Sequence, residues 1–157
     1  MVRITLTSKK AEGGLALLQT ILVALDGSEL AERVIEVLQE LQLQSVQKII
    51  LAHVIPPPES DLEILADRPH IQAEEAPYRY IEKQMETYQA SLAVNAEIEI
   101  VSGDPAEEII RLANIYQANL IVIGCRGLTG VKRIIQGSVS SQVVENAHCS
   151  VLVVKPK

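Results

Sequence analysis

The sequence predicts an α/β fold, a doubly wound parallel sheet of five strands. Three observations lead there. Short aliphatic runs alternate with segments of helical periodicity, the pattern of repeated strand–helix–strand units. Runs such as Leu120–Ile123 are apolar throughout rather than alternating, as strands covered on both faces are. With four Tyr and no Phe or Trp, the core has to be aliphatic, which again suits a parallel sheet rich in Val, Ile and Leu.

The elements follow in order. Residues 1–19 read as an N-terminal extension and 20–157 as the folded domain, a length that suits one core. Ile21–Leu25 is the first strand. Asp26-Gly27-Ser28 is a turn, and Ser28 can cap a helix running to about Leu41, with Leu30, Val34, Val37, Leu38 and Leu41 at helical spacing. Lys48–Val54 is the second strand. Pro56-Pro57-Pro58 stops regular structure, and an acidic stretch follows to Pro77. A gap of that length inside a compact domain reads as a lid, a partner surface or a disordered insert. The second helix runs from Tyr78 to about Leu92, with Tyr78, Ile81, Met85, Tyr88 and Leu92 on one stripe. Glu97–Val101 alternates polar and apolar, so it is placed at a sheet edge. Asp104-Pro105-Ala106-Glu107 is a helix start with cap, proline and acid in order, and this third helix runs to about Tyr116. Leu120–Ile123 is the fourth strand, Ser138 to about Ala147 the last helix, and Val151–Val154 the last strand.

Chemistry concentrates between the fourth strand and the last helix. Gly124 to Ser138 carries Gly124, Gly127, Gly130 and Gly137, with Arg126, Lys132 and Arg133 and no acid, in a chain of net charge −6. Strand, glycine loop and helix N-terminus in that order form an anion site, because free backbone N–H groups and the helix dipole both favour negative charge. Glycines let a ligand approach the backbone closely. The helix after Ser28 fills its positive end with Glu29 and Glu32, and the one after Gly103 with Asp104, Glu107 and Glu108. The last helix begins Ser138, Val139, Ser140 and has no acid before Glu145. The competing reading is a plain surface loop with a serine cap.

Gly124-x2-Gly127-x9-Gly137-Ser138 resembles the nucleotide-binding signature of the universal stress protein family, in its ATP-binding branch. The resemblance extends over about residues 20–157, through Ile21–Asp26, His53-Val54 and Val151–Lys155. It implies a Rossmann-like sheet of strand order 3-2-1-4-5, whose switch point lies between strands 1 and 4. Ligands bind such sheets beyond the carboxyl ends of the strands at that point. The resemblance also implies a stress-response role, adenine nucleotide (ATP, or AMP or ADP) with Mg²⁺ as an option, and a homodimer. A homodimer through Val151–Val154 also fits the need to cover an apolar edge.

Asp26 then has two readings. It forms a turn by bonding nearby backbone, or it contacts a ribose, base or phosphate-bound metal. Val54 is ordinary as a strand residue; by resemblance its backbone N–H and C=O meet the adenine edge. Val139 and Ser140, with Ser138, open the helix at the phosphate end. Cys125 stands where members of the family often carry Ser, and a thiol is the weaker hydrogen-bond partner. His53 reads as structural, and His70 and His148 are isolated, without metal-ligand spacing.

The remaining classes are narrowed by composition and motif. An acidic chain is unlike a general nucleic-acid binder. The apolar run around Leu15–Leu25 is too short and interrupted for a membrane span. Two cysteines fit a reducing cytoplasm. Neither G-x-x-x-x-G-K-[ST] nor G-x-G-x-x-G occurs. The sequence thus points to a nucleotide-binding regulator that acts through conformation or partners. Its alternatives are a slow Mg-dependent ATPase at the same site, or an interaction module with no nucleotide.

Overall fold

The computed structural model describes residues 18–41, 43, 46–57, 75–125 and 139–156. Among these, five strands alternate with four helices: β1 Thr20–Ala24, α1 Glu29–Glu40, β2 Lys48–Ile55, α2 Glu75–Ser91, β3 Ala96–Ser102, α3 Pro105–Ile115, β4 Leu120–Gly124, α4 Val139–Asn146 and β5 Ser150–Val154. Every pairing is parallel and the order is β3-β2-β1-β4-β5, as expected.

The pleat sorts each central strand between two cores. Ile21, Val23 and Leu25 face one side together with Ile49, Leu51 and Val122, under α1 and α2. Leu22, Ala24, Ile50, Ala52, Ile121 and Ile123 face the other, under α3 and α4. Strands β1, β2 and β4 are apolar at nearly every position because both faces are covered. Each fully buried Val, Leu or Ile stabilises the fold by roughly 1.5–3 kcal/mol. The result is a three-layer sandwich whose central strands end together, at the end where the site lies.

Two helices complete their own N-termini. Ser28 caps α1, its side chain accepting from the Leu30 N–H. Asp104 caps α3 by accepting from the Glu107 N–H at 3.0 Å, with Pro105 in the first turn. Ala31, Val34, Ile35 and Leu38 form the buried face of α1, while Leu30, Val37 and Leu41 are half-buried beside it.

The sheet edges differ. β3 is half-exposed, as its alternation suggests. Lys48 pairs with Glu97 at 2.8 Å, and its ammonium lies 4.8 Å from the centre of the Tyr116 ring. The Tyr116 hydroxyl donates to Glu99, and this bond, more than burial, pushes the phenol up to about 12. β5 is the other edge. Its residues Val151, Leu152 and Val153 are aliphatic and half-buried.

Some boundaries move. α2 begins at Glu75, three residues before the expected Tyr78, so the end of the acidic stretch is helical. Pro77 is tolerated there because the first turn needs no N–H. The buried stripe of α2 is Met85 and Tyr88, and the core on that face reaches Ile81. Tyr78, expected on the stripe, is 44% exposed because its turn lies beyond that core. β1 ends at Ala24 rather than Leu25, and β4 includes Gly124. α4 begins at Val139, one residue after the expected Ser138.

Candidate functional site

The cleft follows from the strand order. β1 has β2 on one side and β4 on the other, and α1 and α4 pack on opposite faces. Connections that diverge to opposite faces leave a crevice beyond the strand ends. Here it has a volume of about 460 Å³, within the range of small-molecule sites. Asp26, Val54, Gly124, Val139 and Ser140 all line it. The sequence had singled out each of these, from four separate places along the chain. Arg126, Gly127, Gly130, Gly137 and Ser138 lie outside the described residues, as do Lys132, Arg133 and His70.

Asp26 is held by its own turn. Its Oδ1 accepts from the Ser28 N–H at 3.0 Å and from the Ser28 hydroxyl at 2.6 Å. The same hydroxyl oxygen accepts from the Leu30 N–H at 3.3 Å. Gly27 makes the turn possible with φ +75°, a conformation a Cβ disfavours. The turn-forming reading is therefore realised, and it fixes an exposed carboxylate at the rim of the cleft.

The position of Val54 follows from ladder parity. The Ala52 carbonyl accepts from the Leu25 N–H at 2.9 Å, on the β1 side. The Ile55 carbonyl accepts from the Gly103 N–H at 3.0 Å, on the β3 side. Backbone groups alternate sides along a parallel strand, so Val54 turns its N–H and C=O toward β1. Its level is two residues past the last β1–β2 pair, Ala24 with Ala52. An edge of backbone donor and acceptor thus faces the cleft.

The cleft walls are mostly apolar. Ala24 and Ala52 lie side by side at the strand ends, and Pro105 and Ile109 of α3 stand on the same side. These small residues leave the room that larger ones would fill. Pairing of two alanines in adjacent strands is a signal that only the register reveals. On the same face as α3, α4 opens with Val139 and the buried Ser140, and its first turn has no acid.

His53 also lines the cleft, and its part there was not anticipated. It is 8% exposed. Burial lowers its pKa, opposed by a hydrogen bond to the Leu25 backbone and by the charge of Asp26. It therefore ties the end of β2 to the residue just before Asp26. Cys125 donates its backbone N–H to the Val154 carbonyl at 2.8 Å, which extends the β4–β5 ladder by one bond. Burial raises the Cys149 thiol, which keeps it protonated and unreactive. Among the described residues, no cluster of three or more His, Cys, Asp or Glu is placed to hold a metal, and no helix is long and apolar enough to cross a membrane.

Known proteins share this fold. The model of the universal stress protein family matches residues 18–155. The chain is 35% identical over 147 residues to universal stress protein MJ0531 of Methanocaldococcus jannaschii, covering 88% of this chain and 83% of that one. It is 30% identical over 149 residues to universal stress protein Sll1388 of Synechocystis, covering 86% and 96%. Among solved structures, protein MJ0577 of M. jannaschii superposes with a TM-score of 0.71 at 28% identity, over 90% of this chain and 98% of that one. Two more distant structures share the fold. One is a universal stress protein in complex with cAMP, with a TM-score of 0.65 at 24% identity over 88% and 97% of the chains. The other is an Arabidopsis thaliana member with AMP bound, at 0.60 and 22% over 88% and 92%.

Proposed function

The chain belongs to the universal stress protein family, and from that premise we propose that it binds an adenine nucleotide, ATP, in the cleft between β1 and β4. In this reading it serves as a stress-response regulator in the cytoplasm, acting through a change of conformation or partner. The observation that carries the proposal is the convergence of Asp26, Val54, Gly124, Val139 and Ser140 on one cleft at the switch point. The cAMP and AMP complexes of two fold relatives support the ligand class.

The residues fit such a ligand chemically. The slot between Ala24, Ala52 and Ile109 is apolar and suits a base. The Val54 backbone offers a donor and an acceptor to its edge. Asp26 sits where a ribose hydroxyl, or a Mg²⁺ carried on the phosphates, would meet it. The acid-free start of α4 suits the phosphates, with Arg126, Gly127, Gly130, Gly137 and Ser138 as the rest of that cradle. A homodimer through β5 would cover Val151–Val153, an aliphatic edge of the kind proteins protect.

Isothermal titration with ATP tests the proposal, together with mass spectrometry of any nucleotide released when the purified protein is denatured. Wild type is expected to bind. Gly127→Leu is expected to abolish binding while far-UV circular dichroism and Tm stay near wild type. Unchanged titration of that variant would remove the phosphate cradle from the reading.

A further inference from the structure

Gly124 is the first glycine of the signature, and the ready explanation for it is contact with the ligand. Its surroundings argue otherwise. Gly124 is the last residue of β4, in register with Val154. Among the described glycines, Gly27 and Gly103 have positive φ and Gly124 does not, so its backbone conformation does not demand glycine. What demands it is space. A Cβ there would lie 2.7 Å from Leu30 Cδ2, 2.9 Å from Leu30 Cγ and 3.4 Å from Val34 Cγ2. All three nearest atoms belong to α1.

We infer that Gly124 is a positioning residue: its missing side chain is the seat of Leu30, and this contact sets the width of the cleft by holding the start of α1 against the end of β4. The inference rests on the nucleotide reading for its functional weight, while the contact stands without it. Leu30 and Gly124 both line the cleft. Leu30 also belongs to the first turn of α1, whose N–H at that residue is bonded to Ser28, the partner of Asp26. A displaced Leu30 has two ways to go. Its side chain can swing into the cleft and take up ligand space, or the start of α1 can lift and carry the Asp26 turn with it. Val34, one turn on, lies 3.4 Å from the same Cβ position, so the added methyl meets α1 at two residues. The Leu30 Cγ is itself too close, so a rotation of the terminal methyls alone does not relieve the clash.

A double-mutant cycle on the full chain tests this with ATP as the probe. Gly124→Ala is expected to weaken ATP binding about tenfold, the scale of overpacking by one methyl. Leu30→Ala removes the atoms that the new Cβ meets. In that background Gly124→Ala is expected to change ATP affinity by less than about threefold. Recovery of binding is a readout that loss of strand or helix stability would not give. Wild-type affinity in the Gly124→Ala single variant overturns the inference. So does an equal loss in both backgrounds, which would mean that Gly124 acts on the ligand directly. If the wild type binds no ATP, the nucleotide reading fails by itself. The same cycle read by Tm then decides the contact: Gly124→Ala must lower Tm less in the Leu30→Ala background, and an equal drop in both overturns it.

Discussion

Two helices begin at the cleft, each after a central strand, and their first turns are charged differently. The junction from β1 to α1 is closed on itself. Asp26 holds Ser28, Ser28 holds the first turn of α1, and Glu29 and Glu32 supply negative charge to the helix start. The junction from β4 to α4 leaves its helix without any acid in the first turn. A carboxylate near a helix N-terminus is worth about 0.3–1 kcal/mol at an exposed site, so the second junction forgoes stability that the first one takes. The comparison teaches where to look for a ligand. A helix start without acid, opening on a cleft, is a place where an external anion can supply the charge that the first turn does not.

The sharpest way to break this comparison is to make the second junction like the first. Glu32 is the fourth residue of α1, and Gln142 is the fourth of α4. Gln142→Glu adds one charge with almost no change of shape, and the Gln142 carbonyl that accepts from Asn146 is untouched. We expect ATP affinity to fall about tenfold, as one like charge near the phosphates can do. We expect Tm to hold or rise, since the new charge suits the helix dipole. Opposite signs in binding and stability are the mark of a site kept open for an anion. The reciprocal variant, Glu32→Gln, should lose up to about 1 kcal/mol of stability and bind ATP nearly as before. Equal affinity in wild type and Gln142→Glu would show that the phosphates do not reach α4.

Capping residues sharpen the comparison further. Ser28→Ala and Asp104→Ala each remove one N-cap, and each should cost about 0.5–2 kcal/mol by urea denaturation. Their effects on binding should diverge. The Ser28 hydroxyl also donates to Asp26, so its loss removes the shorter of the two Ser28 bonds that hold the carboxylate at the cleft rim and should weaken ATP binding a few-fold. The Asp104 side chain bonds only within its own helix start among the described contacts, so its variant should bind as wild type does. Equal binding in the two variants would mean that the order of the Asp26 turn is irrelevant to the ligand.

The strands and, through the family resemblance, their order were more legible in the sequence than the contacts within the cleft. Strand identity was legible because both-sided burial leaves runs such as Leu120–Ile123 without a polar residue, and the helix starts were legible because Ser28 and Asp104 act over three residues or fewer. The reach of α2 was not, because Glu75–Pro77 belongs by composition to the acidic stretch. Tyr78 obeys the helical period and still lies outside the core, since periodicity gives a face and not the length of the surface under it. The seat of Leu30 on Gly124 joins residues far apart in the chain. No local pattern marks such a pair, and the glycine invited a ligand explanation instead.

His53 sharpens the comparison least in size but most directly in cause. It links the end of β2 to Leu25, next to the Asp26 turn, and it is buried. Burial lowers its pKa below the ordinary 6.5, against the pull of the Leu25 hydrogen bond and the Asp26 charge. The unfolded chain therefore binds a proton that the folded chain refuses, and the neutral form is the one the fold favours. Stability from this residue is complete above 6.5. It is lost as pH falls from there toward the lower folded value, and it levels off below that value. Urea midpoints measured between about pH 7.5 and about pH 5 should fall for wild type and fall less for His53→Gln. That difference isolates His53 from carboxylates, which titrate in both proteins alike. The Leu25 bond and the Asp26 charge both favour the protonated ring, so the cost of protonation comes from burial, and ATP affinity should hold over the same interval while the urea midpoint falls. Parallel pH profiles for the two proteins would remove His53 from the closed junction and leave Asp26, Gly27 and Ser28 to hold it alone.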